Sequence, residues 1–102
     1  MIMSFDYSLA LGARENGWPL VGLVLKCWDD LYSDEVKAVE PDFIYTDHHI
    51  IPLDCELASI EILADATLVA YEVGSRELGH VLLERGVDML ETFEIEDLLA
   101  ID

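Results

Sequence analysis

Carboxylates outnumber basic side chains by 22 to 5 in this chain, so any fold must hold its Asp and Glu where water can screen them. The formal charge is −17, yet 53% of the residues are hydrophobic. A chain with that much charge and little apolar content would remain a disordered acidic tail. Here the apolar content suffices for a packed core, and the charge is expected on a folded surface. At 102 residues the chain is read as one acidic helical domain spanning 1–102, with one core that buries about 65% of the unfolded surface.

Charge excludes some functions. Arg14, Lys26, Lys37, Arg76 and Arg85 stand singly along the sequence, whereas binding nucleic acid or an anionic membrane requires clustered cations. No direct nucleic-acid contact and no membrane partner is expected; a basic protein fits better. The first eleven residues lack the basic segment and unbroken apolar stretch of a secretion signal, and no window reaches the roughly 18 apolar residues of a bilayer span. Cys27 and Cys55 have no CxxC spacing, which predicts two structural thiols in a reducing cytosol.

Local patterns predict helices. Residues 5–15 carry Phe5, Leu9, Ala10 and Ala13 at helical spacing after Ser4, with a stop at Asn16-Gly17. Pro19 then opens a second helix that puts Leu20, Leu23, Val24, Cys27 and Trp28 on one face and continues through Leu31; a strand over 21–25 is the alternative. Ser33-Asp34-Glu35 begins a short helix through about Val39, ended by Pro41. The segment 43–51 is β-branched and aromatic and reads as a loop or short extended stretch. Asp54 caps the next expected helix, with Leu57, Ile60, Ala64, Leu68 and Tyr71 on one stripe, or with a break near Asp65. A helix over 75–85 has Ser75 as cap and Gly86 as stop, and a last one covers 88–100. The fold expected from these patterns is mainly α, a small domain of stacked helical hairpins; the alternative is an α+β domain using 43–51.

The stretch Leu68-Val69-Ala70-Tyr71-Glu72-Val73-Gly74-Ser75 through Gly79-His80-Val81-Leu82-Leu83 to Gly86-Val87-Asp88 resembles an ankyrin repeat. Ala70 falls where that family's alanine packs between helices, Gly74 where the helices turn, and Gly86-Val87-Asp88 at the closing turn. Asp65-Ala66-Thr67-Leu68 stands where the family has Thr-Pro-Leu-His. A weaker unit over 10–28 carries Asn16-Gly17 and Leu20-Val21-Gly22-Leu23, but the turning glycines lie 57 residues apart, against a family period of about 33. The resemblance implies a scaffold for protein binding without catalytic residues.

Candidate contact residues follow from clustered charge. Asp29-Asp30 and Asp34-Glu35 form one acidic region, and Glu91, Glu94, Glu96 and Asp97 a second; Trp28 adjoins the first as a candidate aromatic anchor, although core packing is the commoner use of such a residue, and Tyr32, Phe43 and Tyr45 are weighed in the same way. Averaged over roughly 5,800 Å² of surface, the charge reaches only about a third of the density of duplex DNA. Imitation of DNA therefore requires clustering on one face, which a homodimer would extend.

Metal and catalytic chemistry have weaker signals. Asp47-His48-His49 and Asp54-Cys55-Glu56 carry ligand atoms, but adjacent histidines on an extended segment point to opposite sides and no HxxxH or CxxC spacing supports them. A negative field disfavours a cysteine nucleophile, and no glycine-rich phosphate loop occurs. No cofactor, metal or catalytic residue is expected. The sequence reads as a non-enzymatic acidic protein that binds and inhibits a basic partner such as a nuclease, toxin or nucleic-acid-binding complex, of the immunity or phage anti-defence type. The alternative is an ankyrin-like interaction module whose acidity serves solubility.

Overall fold

The structure, a computed structural model, describes residues 2–54, 56–71 and 73–91. Five parallel strands form one sheet in the order of the chain: β1 (Ile2–Ser4), β2 (Val21–Val24), β3 (Phe43–Asp47), β4 (Thr67–Tyr71) and β5 (Met89–Leu90). Parallel neighbours require crossovers. Helix α1 (Tyr7–Glu15) joins β1 to β2, α2 (Asp34–Val39) lies between β2 and β3, and α3 (Arg76–Arg85) joins β4 to β5. Between β3 and β4 the chain makes three 3-10 turns, His48–Ile50, Leu57–Ser59 and Glu61–Ala64.

The mainly α expectation is therefore wrong: the protein is α/β. The misreading has a physical cause. Val21, Gly22, Leu23 and Val24 are all buried, as are Leu68, Val69, Ala70 and Tyr71. A strand covered on both faces loses its polar–apolar alternation, so its apolar run looks like part of a buried helix. The second expected helix is thus β2 followed by the 3-10 turn Trp28–Tyr32, and the helix after Asp54 is replaced by two 3-10 turns and β4. Segment 43–51 holds β3, inside a parallel sheet rather than an α+β arrangement. Of the expected 88–100 helix, Met89 and Leu90 form β5 with Asp88 and Glu91 on either side of it, and residues 92–100 lie outside the described residues.

The ankyrin-like reading falls with it. Leu68–Tyr71, which would be the first helix of the 68–88 unit, is strand, and so is Val21–Val24 in the 10–28 unit. Gly86-Val87-Asp88 has another use: Gly86, at φ +114°, ends α3, and Asp88 accepts a hydrogen bond from the Leu68 amide at 2.9 Å as β5 begins. Asp42 does the same before β3, accepting from the Val21 amide at 2.8 Å. In these two βαβ units, β2-α2-β3 and β4-α3-β5, an aspartate just ahead of one strand ties down the start of its neighbour.

Where local signals were strong, the elements formed. Asp6, rather than Ser4, caps α1 by accepting from the Ser8 and Leu9 amides, and the helix ends at Asn16. Ser33 caps α2 through the Val36 amide, and Ser75 caps α3 through Leu78.

The register puts Leu23, Ile44 and Leu68 in one row across the sheet and Val24, Tyr45, Val69 and Met89 in the next, on the opposite face. Against the first face pack α1 and α2, with Tyr7, Ala10, Ala13, Val36 and Val39 over Val21 and Leu23, and α3 through Leu82 beside Leu68 and Ala70. Each fully buried Leu or Ile in this layer contributes about 1.5–3 kcal/mol. Val24, Tyr45, Val69 and Tyr71 form the cluster of the second face, with Met3, Phe5 and Phe43 against it. Among the described residues the three helices lie on one side and the strand order does not reverse, so these elements form no switch-point crevice of the kind in which doubly wound proteins bind ligands.

Candidate protein-binding site

The first predicted acidic region follows β2. Its 3-10 turn, Trp28–Tyr32, leads through Ser33 into α2, so Asp29, Asp30, Asp34 and Glu35 occupy one short stretch of surface. Asp29, Asp34 and Glu35 are exposed, and the last two also sit at the positive end of α2. Asp30 differs. It accepts hydrogen bonds from the Tyr7 hydroxyl at 2.6 Å and from the Cys27 thiol at 3.2 Å, and the Tyr7 bond is the main reason its carboxyl titrates below the usual range. Burial, then the bond to Asp30, pushes the Tyr7 phenol up. The same carboxylate raises the thiol of Cys27, which is exposed rather than a buried structural thiol. Lys26 lies over the Tyr7 ring, 4.7 Å from its centroid.

Trp28 is not offered to a partner. Its side chain is 6% exposed, in the core with Leu25, Leu31 and Ile44. Tyr32, four residues on, is the aromatic residue at the surface here, 53% exposed between the two acidic pairs.

Beyond α2 the acidic surface continues into a cleft of about 610 Å³ lined by Lys37, Glu40, Pro41, Asp42, Glu61, Ile62 and Asp65. The sequence offered no signal for this, because Glu61 and Asp65 come from the β3–β4 crossover and meet α2 only through the fold. Asp42 is already engaged: Arg14 reaches its Oδ2 at 2.7 Å and also donates to the carbonyls of Val39 and Glu40. Burial disfavours the Asp42 carboxylate, but the Val21 amide and the Arg14 guanidinium outweigh it and hold its pKa low. Glu40 has φ +50°, a left-handed conformation at the end of α2 held by those Arg14 contacts.

The second predicted region is not brought to this flank within the described residues. Glu91 follows β5, three strand spacings or about 14 Å from β2, with its amide donating to the Ala70 carbonyl. Its charge adds to burial in raising the phenol of Tyr45. Glu94, Glu96 and Asp97 lie outside the described residues.

At the exit end of β3, Asp47, His48 and His49 differ from the sequence expectation. The histidines are on a 3-10 turn, not an extended strand, and their ring centroids are 3.9 Å apart. Asp47 Oδ1 accepts from the His49 amide at 2.9 Å and meets His49 Nδ1 at 2.7 Å. Burial opposes the Asp47 carboxylate, but these His49 contacts prevail and lower its pKa.

Comparison with family models, curated proteins and solved structures finds no match to this chain. No helix among the described residues is long and apolar enough to cross a membrane.

Proposed function

We propose that the protein is a non-enzymatic acidic binder that occupies a basic site on a partner protein, of the kind that handles nucleic acid, and thereby blocks it in the cytosol. The observation that carries this reading is the excess of carboxylates on one flank: exposed Asp29, Asp34 and Glu35 before and on α2, and a cleft at the far end of that helix lined by Glu40, Asp42, Glu61 and Asp65 with Lys37. Of the cations near it, Arg14 pairs with Asp42 and donates to the carbonyls of Val39 and Glu40, and Lys37 lines the cleft, against the carboxylates of Asp29, Asp34, Glu35, Glu40, Glu61 and Asp65. The surface area is 6,099 Å², close to the value expected for the chain's mass, so the average charge remains too dilute to imitate DNA. Local concentration on this flank is what the reading needs.

Long-range attraction would speed encounter with a basic partner, and Tyr32 would slow release by burying its ring. Affinity capture from the native host at low salt, followed by elution with salt, tests the idea. A basic nucleic-acid-binding protein is expected in the eluate, with an association rate that falls steeply as ionic strength rises. Replacing Asp29, Asp34 and Glu35 together with Asn, Asn and Gln should remove most of that salt dependence, and Tyr32→Ala should mainly raise the dissociation rate. A salt-independent association rate with the captured partner would sink the proposal.

A further inference from the structure

We propose that Asp47, His48 and His49 form a binding site for one divalent transition-metal ion of the zinc class at the exit end of β3. One ligand atom from each residue can be chosen so that all three lie within 4.8 Å of one another. Three donors bound to a tetrahedral Zn²⁺ at 2.0–2.1 Å stand about 3.4 Å apart, so closure needs a contraction of at most about 1.4 Å. The imidazole of His49 is mostly exposed and can swing through that distance without disturbing the core.

The backbone makes the constellation. Asp47 is anchored by pairing with Tyr71 of β4, and it caps the turn that follows through the His49 amide. That turn brings two adjacent imidazoles to the same side, where an extended strand would have separated them. Two imidazole nitrogens and one carboxylate oxygen suit Zn²⁺, Ni²⁺ or Cu²⁺ and are a poor match for Ca²⁺ or Mg²⁺, which prefer oxygen ligands throughout. Three protein ligands leave a coordination position for water or for a donor from another molecule. The chain's negative field raises the local concentration of any cation. A bound ion would replace the Asp47–His49 contact, each imidazole ligating through its unprotonated nitrogen while its other ring nitrogen carries the proton.

Chelator-treated protein titrated with Zn²⁺ in a calorimeter is expected to bind one equivalent saturably. His48→Gln and His49→Gln should each weaken that binding at least tenfold, while His80→Gln, on exposed α3 surface, leaves it unchanged. Circular dichroism of each variant checks that the fold persists. Imidazole resonances of His48 and His49, and not His80, should move on addition of Zn²⁺ in long-range ¹H–¹⁵N spectra. Binding of several equivalents that ignores both histidine substitutions, or no saturable heat, would overturn the proposal. Neither result bears on the acidic-flank reading, whose test uses no metal.

Discussion

Strand β3 is bounded by two aspartates that do different work. Asp42, at its entry, joins three segments: the Arg14 side chain of α1, the Val21 amide of β2, and, through its own carbonyl, the Thr67 amide of β4. Asp47, at its exit, pairs with Tyr71 of β4 along the backbone, but among the described residues its carboxylate contacts only the turn it caps. Both titrate low, so charge stabilisation alone does not separate a structural carboxylate from one at a candidate site. What separates them is how far along the chain their partners lie. A carboxylate whose partners are 21 and 28 residues away helps hold the sheet together, and one whose partner is two residues away shapes only its own surface.

Substitution at the two ends should break this comparison if it is wrong. Asp42→Ala leaves the Arg14 guanidinium and the Val21 amide without their acceptor, and a loss of about 2–3 kcal/mol is expected in urea denaturation. Asp88→Ala removes the matching contact to the Leu68 amide but strands no cation, so its cost should be smaller, about 1–2 kcal/mol. Asp47→Ala loses a cap on a short exposed turn and should cost no more than about 1 kcal/mol. Equal losses at Asp42 and Asp47 would refute the distinction.

Acid sharpens it. The folded-state pKa of Asp42 lies below its unfolded value, so its contribution is fully present above the unfolded pKa, near 3.9, and disappears as pH falls through the folded value. Stability measured between pH 5.5 and 2.5 should fall less steeply in Asp42→Asn than in the wild type. Asp47→Asn should change that slope less, since solvent screens the exposed His49 contact.

The smallest expected effect concerns reactivity. Cys27 is exposed, but its thiol is raised by Asp30 and should react with iodoacetamide more slowly at pH 7.5 than an unperturbed cysteine. Asp30→Asn should speed the reaction several-fold with little change in fold stability. No acceleration would show that Asp30 does not control the thiol.

Part of this architecture was legible in the chain. Ser33 with Pro41, and Ser75 with Gly86, bracket helices whose ends depend on nearby atoms, so α2 and α3 could be placed from sequence. The exposed acids Asp29, Asp34 and Glu35 were legible too, because high charge density keeps such residues in water. Trp28 could be read either as an anchor or as core, because an aromatic beside two aspartates looks the same in sequence whether it faces solvent or the interior; its neighbours Leu25 and Ile44 decide for the core. The His48–His49 pair was misjudged because the separation of their side chains depends on whether the strand ends before or after them.

By itself, then, the sequence determined that this protein has enough apolar residues to pack under a strongly negative surface, with helix ends set by local capping. Only the tertiary structure decided that Val21–Val24 and Leu68–Tyr71 are strands, that Glu61 and Asp65 face α2 across a cleft, and that Asp42 holds three strands together. Helix caps are satisfied within a few residues of chain, whereas a parallel strand obtains its hydrogen bonds from partners some twenty residues away. An apolar run buried on both faces does not reveal which partners those are.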